Sequence, residues 1–175
     1  SVGVTEMAQD VCNKIPDHSR MIVHSFGGVV VNQMVGICPE KIEKIIYVTA
    51  LVPLKGETPF QALQKTDEAT YRKAVLFEKN KISPKGTKIF LKHMDSEMDL
   101  TQAPNLKLYS ESYVPGENVI TYDEGVFSKI PKTYIYADKD LIITLSSQKK
   151  FTARTMMVAK DTVHSGHLPM LSKPK

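Results

Sequence analysis

The run Met21-Ile22-Val23-His24-Ser25-Phe26-Gly27-Gly28-Val29-Val30-Val31 constrains this fold more than any other stretch of the chain. It reads as a short apolar strand, one polar residue, a glycine pair and an apolar helix. A serine at such a junction sits on a sharp turn at the carboxyl end of a strand. Its hydroxyl stands clear of the backbone, above a helix N-terminus. The pattern is G-x-S-x-G with Val23 in place of the first glycine. A second strand, Ile45-Ile46-Tyr47-Val48-Thr49, is rich in β-branched and aromatic residues. Strand, helix and strand in such close succession form a βαβ unit, which predicts a parallel sheet.

The flanking segments extend this pattern. Val4, Met7, Ala8, Val11, Cys12 and Ile15 recur at helical spacing, and Pro16-Asp17-His18-Ser19 breaks that helix. Gly27 to Gly36 is apolar nearly all round, as expected for a helix buried under a sheet. Residues 54–129 change character and become polar and irregular, with short amphipathic stretches at Thr58–Leu63 and Glu68–Phe77. They are expected to form a mostly helical cap inserted between two core parts, 1–53 and 130–175, with specificity carried by the cap. Core character resumes with a strand at Lys132–Tyr136 and a helix from Leu145 to Thr152. A fourth strand is expected at Arg154–Val158.

Composition narrows the function classes. The 175 residues suffice for one domain with a sizeable core; 42% are hydrophobic and 24% charged. The net charge of +4 is spread among acids, as in Lys41-Ile42-Glu43-Lys44, so nucleic acid is not an expected partner. No apolar run reaches the length of a membrane span, and Ser1-Val2-Gly3-Val4-Thr5-Glu6 carries no leader signature. Cys12 and Cys38 lack metal-ligand spacing and are too sparse for a disulfide framework. They are expected as two buried thiols in a reducing, cytoplasmic setting, with no metal and no organic cofactor.

A serine hydroxyl needs a base, most often histidine. His18 precedes the first strand, at the wrong end of the sheet. His24 neighbours Ser25 on a strand and is expected to point to the opposite face as a packed histidine. His93 falls in the cap. His164 and His167 follow the last strand, and Gly166 and the apolar Leu168-Pro169-Met170-Leu171 favour His167. The orienting carboxylate is expected after the third strand, where Asp138 and Asp140 both qualify; the apolar residues after Asp140 favour it. The order Ser25, Asp140, His167 is nucleophile, acid, base.

These pieces resemble the α/β-hydrolase superfamily. The carriers are Val23 to Gly28, Thr49-Ala50-Leu51-Val52-Pro53, Tyr136 to Ile142 with Gln148, and Gly166 to Pro174. Within it they are most similar to the small-cap branch of plant methylesterases, hydroxynitrile lyases and bacterial esterase relatives. The resemblance implies a mainly parallel sheet with flanking helices and a small helical cap. It implies cleavage of a small carboxylic ester through an acyl-enzyme, with Ser25, His167 and Asp140 in the triad roles. The Phe26 N–H would be one oxyanion donor. Phe60, Leu63 and Phe77 are expected to line the pocket. The branch's lyases carry a lysine directly after the base, where this chain has Leu168; a carbon–carbon lyase is thus the weaker alternative. A catalytically weak ligand-binding relative is another. The resemblance also places further strands and a second oxyanion donor ahead of the first helix. An edge of Met21–His24 would therefore lack a partner, and a longer polypeptide or a second chain is expected to complete the sheet.

Overall fold

The computed structural model describes residues 2–78, 81–102 and 107–174. Helix α1 (Val4–Lys14) leads into strand β1 (Ser19–His24), helix α2 (Gly27–Val35) and strand β2 (Ile42–Val48). A long excursion follows, with α3 (Pro59–Ala62), α4 (Lys65–Ala74), β3 (Val75–Glu78), β4 (Lys81–Pro84), α5 (Thr87–Met94) and β5 (Glu111–Ser112). The chain returns through α6 (Glu124–Lys129), β6 (Lys132–Ala137), α7 (Leu145–Arg154), β7 (Ala159–Val163) and α8 (Pro169–Ser172). Four strands form a parallel sheet in the order β1-β2-β6-β7. The expected βαβ unit is therefore present.

The core lies between this sheet and its helices. Tyr47 and Tyr134 stack across β2 and β6 with ring centroids 6.1 Å apart, both fully buried. Their hydroxyls are not orphaned: Tyr47 donates to Asn32 Oδ1 at 2.6 Å and Tyr134 to the Ala50 carbonyl at 2.8 Å. Helix α2 buries Val29, Val31, Met34 and Val35, each worth about 1.5–3 kcal/mol on leaving water. Gly28 makes that approach feasible, since a Cβ there would fall 2.1 Å from the Leu51 carbonyl oxygen.

Several expectations need correction. The fourth strand is not Arg154–Val158. Helix α7 runs on through Arg154 because Phe151 and Gln148 anchor it in the core. Met156 and Val158 are exposed, and the edge strand is the polar segment Ala159–Val163. The excursion is not mostly helical, because β3, β4 and β5 form a small antiparallel sheet in it. It also closes before residue 129. Ile120 exchanges backbone hydrogen bonds with Gly56 and Glu57, at 2.9 and 3.0 Å, and Ile120, Tyr122 and Phe127 already belong to the main core.

Cys12 and Cys38 are joined in a disulfide that ties α1 to the turn after α2. Their α-carbons lie 6.2 Å apart, brought together by the packing of α1 on α2 rather than by any sequence motif. The expected pair of free thiols is therefore replaced by a disulfide. Among the described residues no helix is long and apolar enough to cross a membrane. Strand β1 is an edge strand, and Ile22 on it is 72% exposed.

Candidate active site

The carboxyl ends of all four parallel strands converge on one point, where ligands of open α/β sheets collect. Ser25 follows β1, Thr49 follows β2, Asp140 follows β6 and His167 follows β7. Ser25 has φ of 52°, the left-handed region that costs an L-residue about 1–2 kcal/mol. Its carbonyl is held by the Gly28 and Leu51 N–H groups at 3.2 and 3.0 Å. Gly27 lies against Val23: an added Cβ would sit 3.4 Å from the Val23 Cβ, an ordinary contact. Valine at the first position of the pattern is therefore accommodated.

His167 Nε2 lies 2.9 Å from Ser25 Oγ, and its Nδ1 lies 2.6 Å from Asp140 Oδ2. The imidazole and the carboxylate are both almost fully buried, at 1% and 0% side-chain exposure. Asp140 is held from two further directions. Thr49 Oγ1 donates to Oδ2, and the Ile142 and Ile143 N–H groups donate to Oδ1 at 2.7 and 3.0 Å. Gln148 fastens the same loop by bonding the Ala137 N–H, the Ala137 carbonyl and the Ile143 carbonyl. Donors on both oxygens hold the carboxylate in place, and its contact with Nδ1 sets the tautomer and orientation of His167. Nε2 is then free to accept the Ser25 proton.

Of the alternatives, Asp138 turns outward and pairs with His164 at 2.7 Å. His18 sits in the turn before β1, and His93 lies on α5, bonded to the Ile89 carbonyl. His24 departs from expectation. It faces the site, with its ring centroid 4.7 Å from that of His167. Its Nε2 donates to the His167 carbonyl at 2.6 Å. Burial, then the neighbouring His167, lowers its pKa to about 4, so it is neutral near pH 7. The elbow's left-handed turn at Ser25 breaks the strand alternation on which the expectation rested.

A cavity of about 420 Å³ opens over Ser25 and His167 between core and cap. Phe60 and Leu63 border it. Phe77 does not; it stands behind Tyr71 and Tyr113, with ring centroids 6.2 and 5.6 Å away. Tyr71, Phe90, Tyr113 and Ile143, which no motif in the sequence marks, add to the apolar wall. The Phe26 N–H, at the start of α2, has no acceptor among the described residues and borders the same cavity. None of the described residues lining it is lysine or arginine. Among the described residues, no group of three or more His, Cys, Asp or Glu is placed to hold a metal.

The fold is that of the α/β-hydrolases. Solved structures of the fold cover almost the whole chain. A pyrethroid hydrolase from Sphingobium faniae superposes with a TM-score of 0.78 at 18% identity, over 100% of this chain and 74% of its own. Polyneuridine aldehyde esterase gives 0.76 at 18% identity, over 97% and 73%. An extracellular α/β-hydrolase from a Paenibacillus species gives 0.78 at 17%, over 99% and 76%. In sequence the chain is similar to methyl jasmonate esterase 1 of Vitis vinifera, 27% identical over 171 residues. That match takes in 88% of this chain and 65% of the relative, so the chain spans about two thirds of its length. No family model matches.

Proposed function

We propose that this chain carries the catalytic machinery of a serine carboxylic-ester hydrolase. The observation that carries the reading is the unbroken chain Ser25 Oγ, His167 Nε2, His167 Nδ1 and Asp140 Oδ2, with links of 2.9 and 2.6 Å at the floor of an apolar cavity. Ser25 Oγ attacks the ester carbonyl while His167 takes its proton. The Phe26 N–H meets the oxygen that becomes negative. His167 then gives the proton to the leaving alcohol, and the acyl group stays on Ser25. Water, deprotonated by the same nitrogen, cleaves the acyl-enzyme. Asp140 orients the imidazole through Nδ1 and offsets the charge on the imidazolium. A preorganised N–H donor of the Phe26 kind is typically worth about 100- to 1,000-fold in rate.

The substrate class follows from the walls. A cavity of about 420 Å³ with aromatic and aliphatic sides suits an ester with an apolar body. Among the described residues its one acidic wall residue is Glu111, whose Oε1 accepts the Tyr71 hydroxyl at 3.0 Å. A carboxylate-bearing ester would meet this group with no lining cation to compensate. Neutral esters are favoured over half-esters of dicarboxylates, which keep a free carboxylate. Leu168, lining the cavity beside the base, offers no cation for cyanide, which leaves the lyase alternative without its key group.

The test is hydrolysis of p-nitrophenyl acetate together with labelling by a fluorophosphonate probe. Wild-type protein should turn over the ester and take up one label, and Ser25→Ala should do neither. Labelling that persists in Ser25→Ala would overturn the reading.

A further inference from the structure

We infer that Asp95, a cap residue, is a positioning residue for the base: it holds the loop that presents His167. The inference rests on the esterase reading of the site and adds a role for the cap beyond lining the pocket.

Asp95 lies at the C-terminal end of α5, far from His167 in sequence, and is only 1% exposed. Buried carboxylates are costly unless their oxygens are hydrogen-bonded. Here one oxygen serves the cap and the other serves the base loop. Oδ1 accepts the Glu97 N–H at 3.0 Å, closing the turn after α5. Oδ2 accepts the Leu168 N–H at 3.3 Å and the Ser172 hydroxyl at 2.8 Å. Next door, the Met94 carbonyl accepts the N–H of His167 itself at 2.8 Å. The backbone on both sides of the His167 α-carbon is thus fastened to the end of one cap helix.

The same contact explains Gly166. This residue does not occupy the left-handed region, so its reason is space rather than a special turn. A Cβ on Gly166 would fall 2.6 Å from Asp95 Oδ1 and 2.9 Å from the Asp95 α-carbon. The loop comes as close to Asp95 as a backbone can. Glu97 adds a third tie, an ion pair of 3.1 Å with Lys139 on the loop that carries Asp140.

Phe90 and Met94 of α5 also line the cavity. One short helix therefore touches the space for substrate and grips the base loop. Displacing that loop leaves the pocket walls in place but moves Nε2 relative to Ser25. An error of about 1 Å there can cost roughly 100-fold in rate. The loss falls on kcat rather than KM, because the misplaced group acts in the transition state.

The test compares Asp95→Asn with Asp95→Ala, each checked for folding by circular dichroism. Asparagine's amide oxygen can take the Oδ2 place and keep both bonds to the base loop, losing only the turn within the cap. Asp95→Ala should lower kcat about 10- to 100-fold with KM within about threefold. Asp95→Asn should keep kcat within about threefold. The low-field proton resonance of His167 Nδ1–H should shift or broaden in Asp95→Ala and stay in Asp95→Asn. Gly166→Ala pushes on the contact from the other side and should reproduce the Asp95→Ala pattern; it serves if Asp95→Ala does not fold. A folded Asp95→Ala or Gly166→Ala with wild-type kcat and an unmoved ring resonance overturns the proposal. Failure of the esterase reading looks different: wild-type protein turns over no ester, while the ring resonance still reports whether Asp95 positions His167.

Discussion

Two histidine–aspartate pairs stand side by side after β6 and β7. His164 and Asp138 are 2.7 Å apart, and His167 and Asp140 are 2.6 Å apart. By distance they are twins. Their surroundings separate them. The first pair has side-chain exposures of 70% and 28%, the second 1% and 0%. Asp140 has a threonine hydroxyl and two backbone N–H groups around it, and the far nitrogen of His167 meets a serine. Asp138 has an oxygen with no partner, and the far nitrogen of His164 meets none among the described residues. Water screens the outer pair, whereas the inner pair interacts at lower effective dielectric. Proximity makes a hydrogen bond; burial, a full set of donors and a serine at the far nitrogen set the inner pair apart.

That contrast can be broken by matched substitutions. Ser25→Ala and His167→Ala should each lower kcat by at least about 10,000-fold, and His164→Ala should leave it within about twofold, read on p-nitrophenyl acetate. Asp140→Asn should cost about 10,000-fold through the wrong histidine tautomer, against no more than about twofold for Asp138→Asn. Equal losses from the two aspartates would end the distinction. Thr49→Val removes one donor from the buried carboxylate and should cost about 10- to 100-fold in kcat, the range for a hydrogen bond to a charged group.

A gentler effect belongs to His24. Its folded pKa of about 4 lies below the ordinary 6.5. Between those values the unfolded chain binds a proton that the folded chain does not. Stability should therefore fall as pH drops from about 6.5 to about 4, and be level above that window. Urea unfolding at pH 7 and pH 4.5 should show the loss, and His24→Gln should reduce it. The smallest effect is that of the outer pair. The His164 hydrogen bond holds the Asp138 carboxyl below its usual range, yet the His164 side chain of the pair is 70% exposed. Asp138→Asn should leave Tm within experimental error, with any change vanishing in high salt.

The contrast also shows what a sequence can reveal. Ser25, Asp140 and His167 were legible because topology alone brings strand ends together: a turn serine, a loop aspartate and a loop histidine in one order. Thr49 was not, since nothing in a threonine at a strand end says that it will bond a carboxylate from another strand. Asp95 left no signal for the same reason. The edge strand was misread because Met156 and Val158 look like core, while the true strand, Ala-Lys-Asp-Thr-Val, shows the polar face of a sheet's rim. Phe77 looked like a pocket residue and packs one layer behind it. The cysteine pair was misjudged by counting. Two cysteines suggest no framework, but α1 and α2 lie together and bring them within bonding distance.

That bond has a topological consequence. The disulfide closes a loop of 26 residues, and β1, Ser25 and the whole of α2 lie within it. Ser25 thus rides inside a covalent ring, whereas Asp140 and His167 lie outside it and meet it through non-covalent contacts. When the chain unfolds, the ring limits how far the serine segment can spread, worth roughly 3–4 kcal/mol on the loop-entropy account. Under reducing conditions that constraint goes, and the segment that loses it is the one whose backbone must hold a left-handed serine.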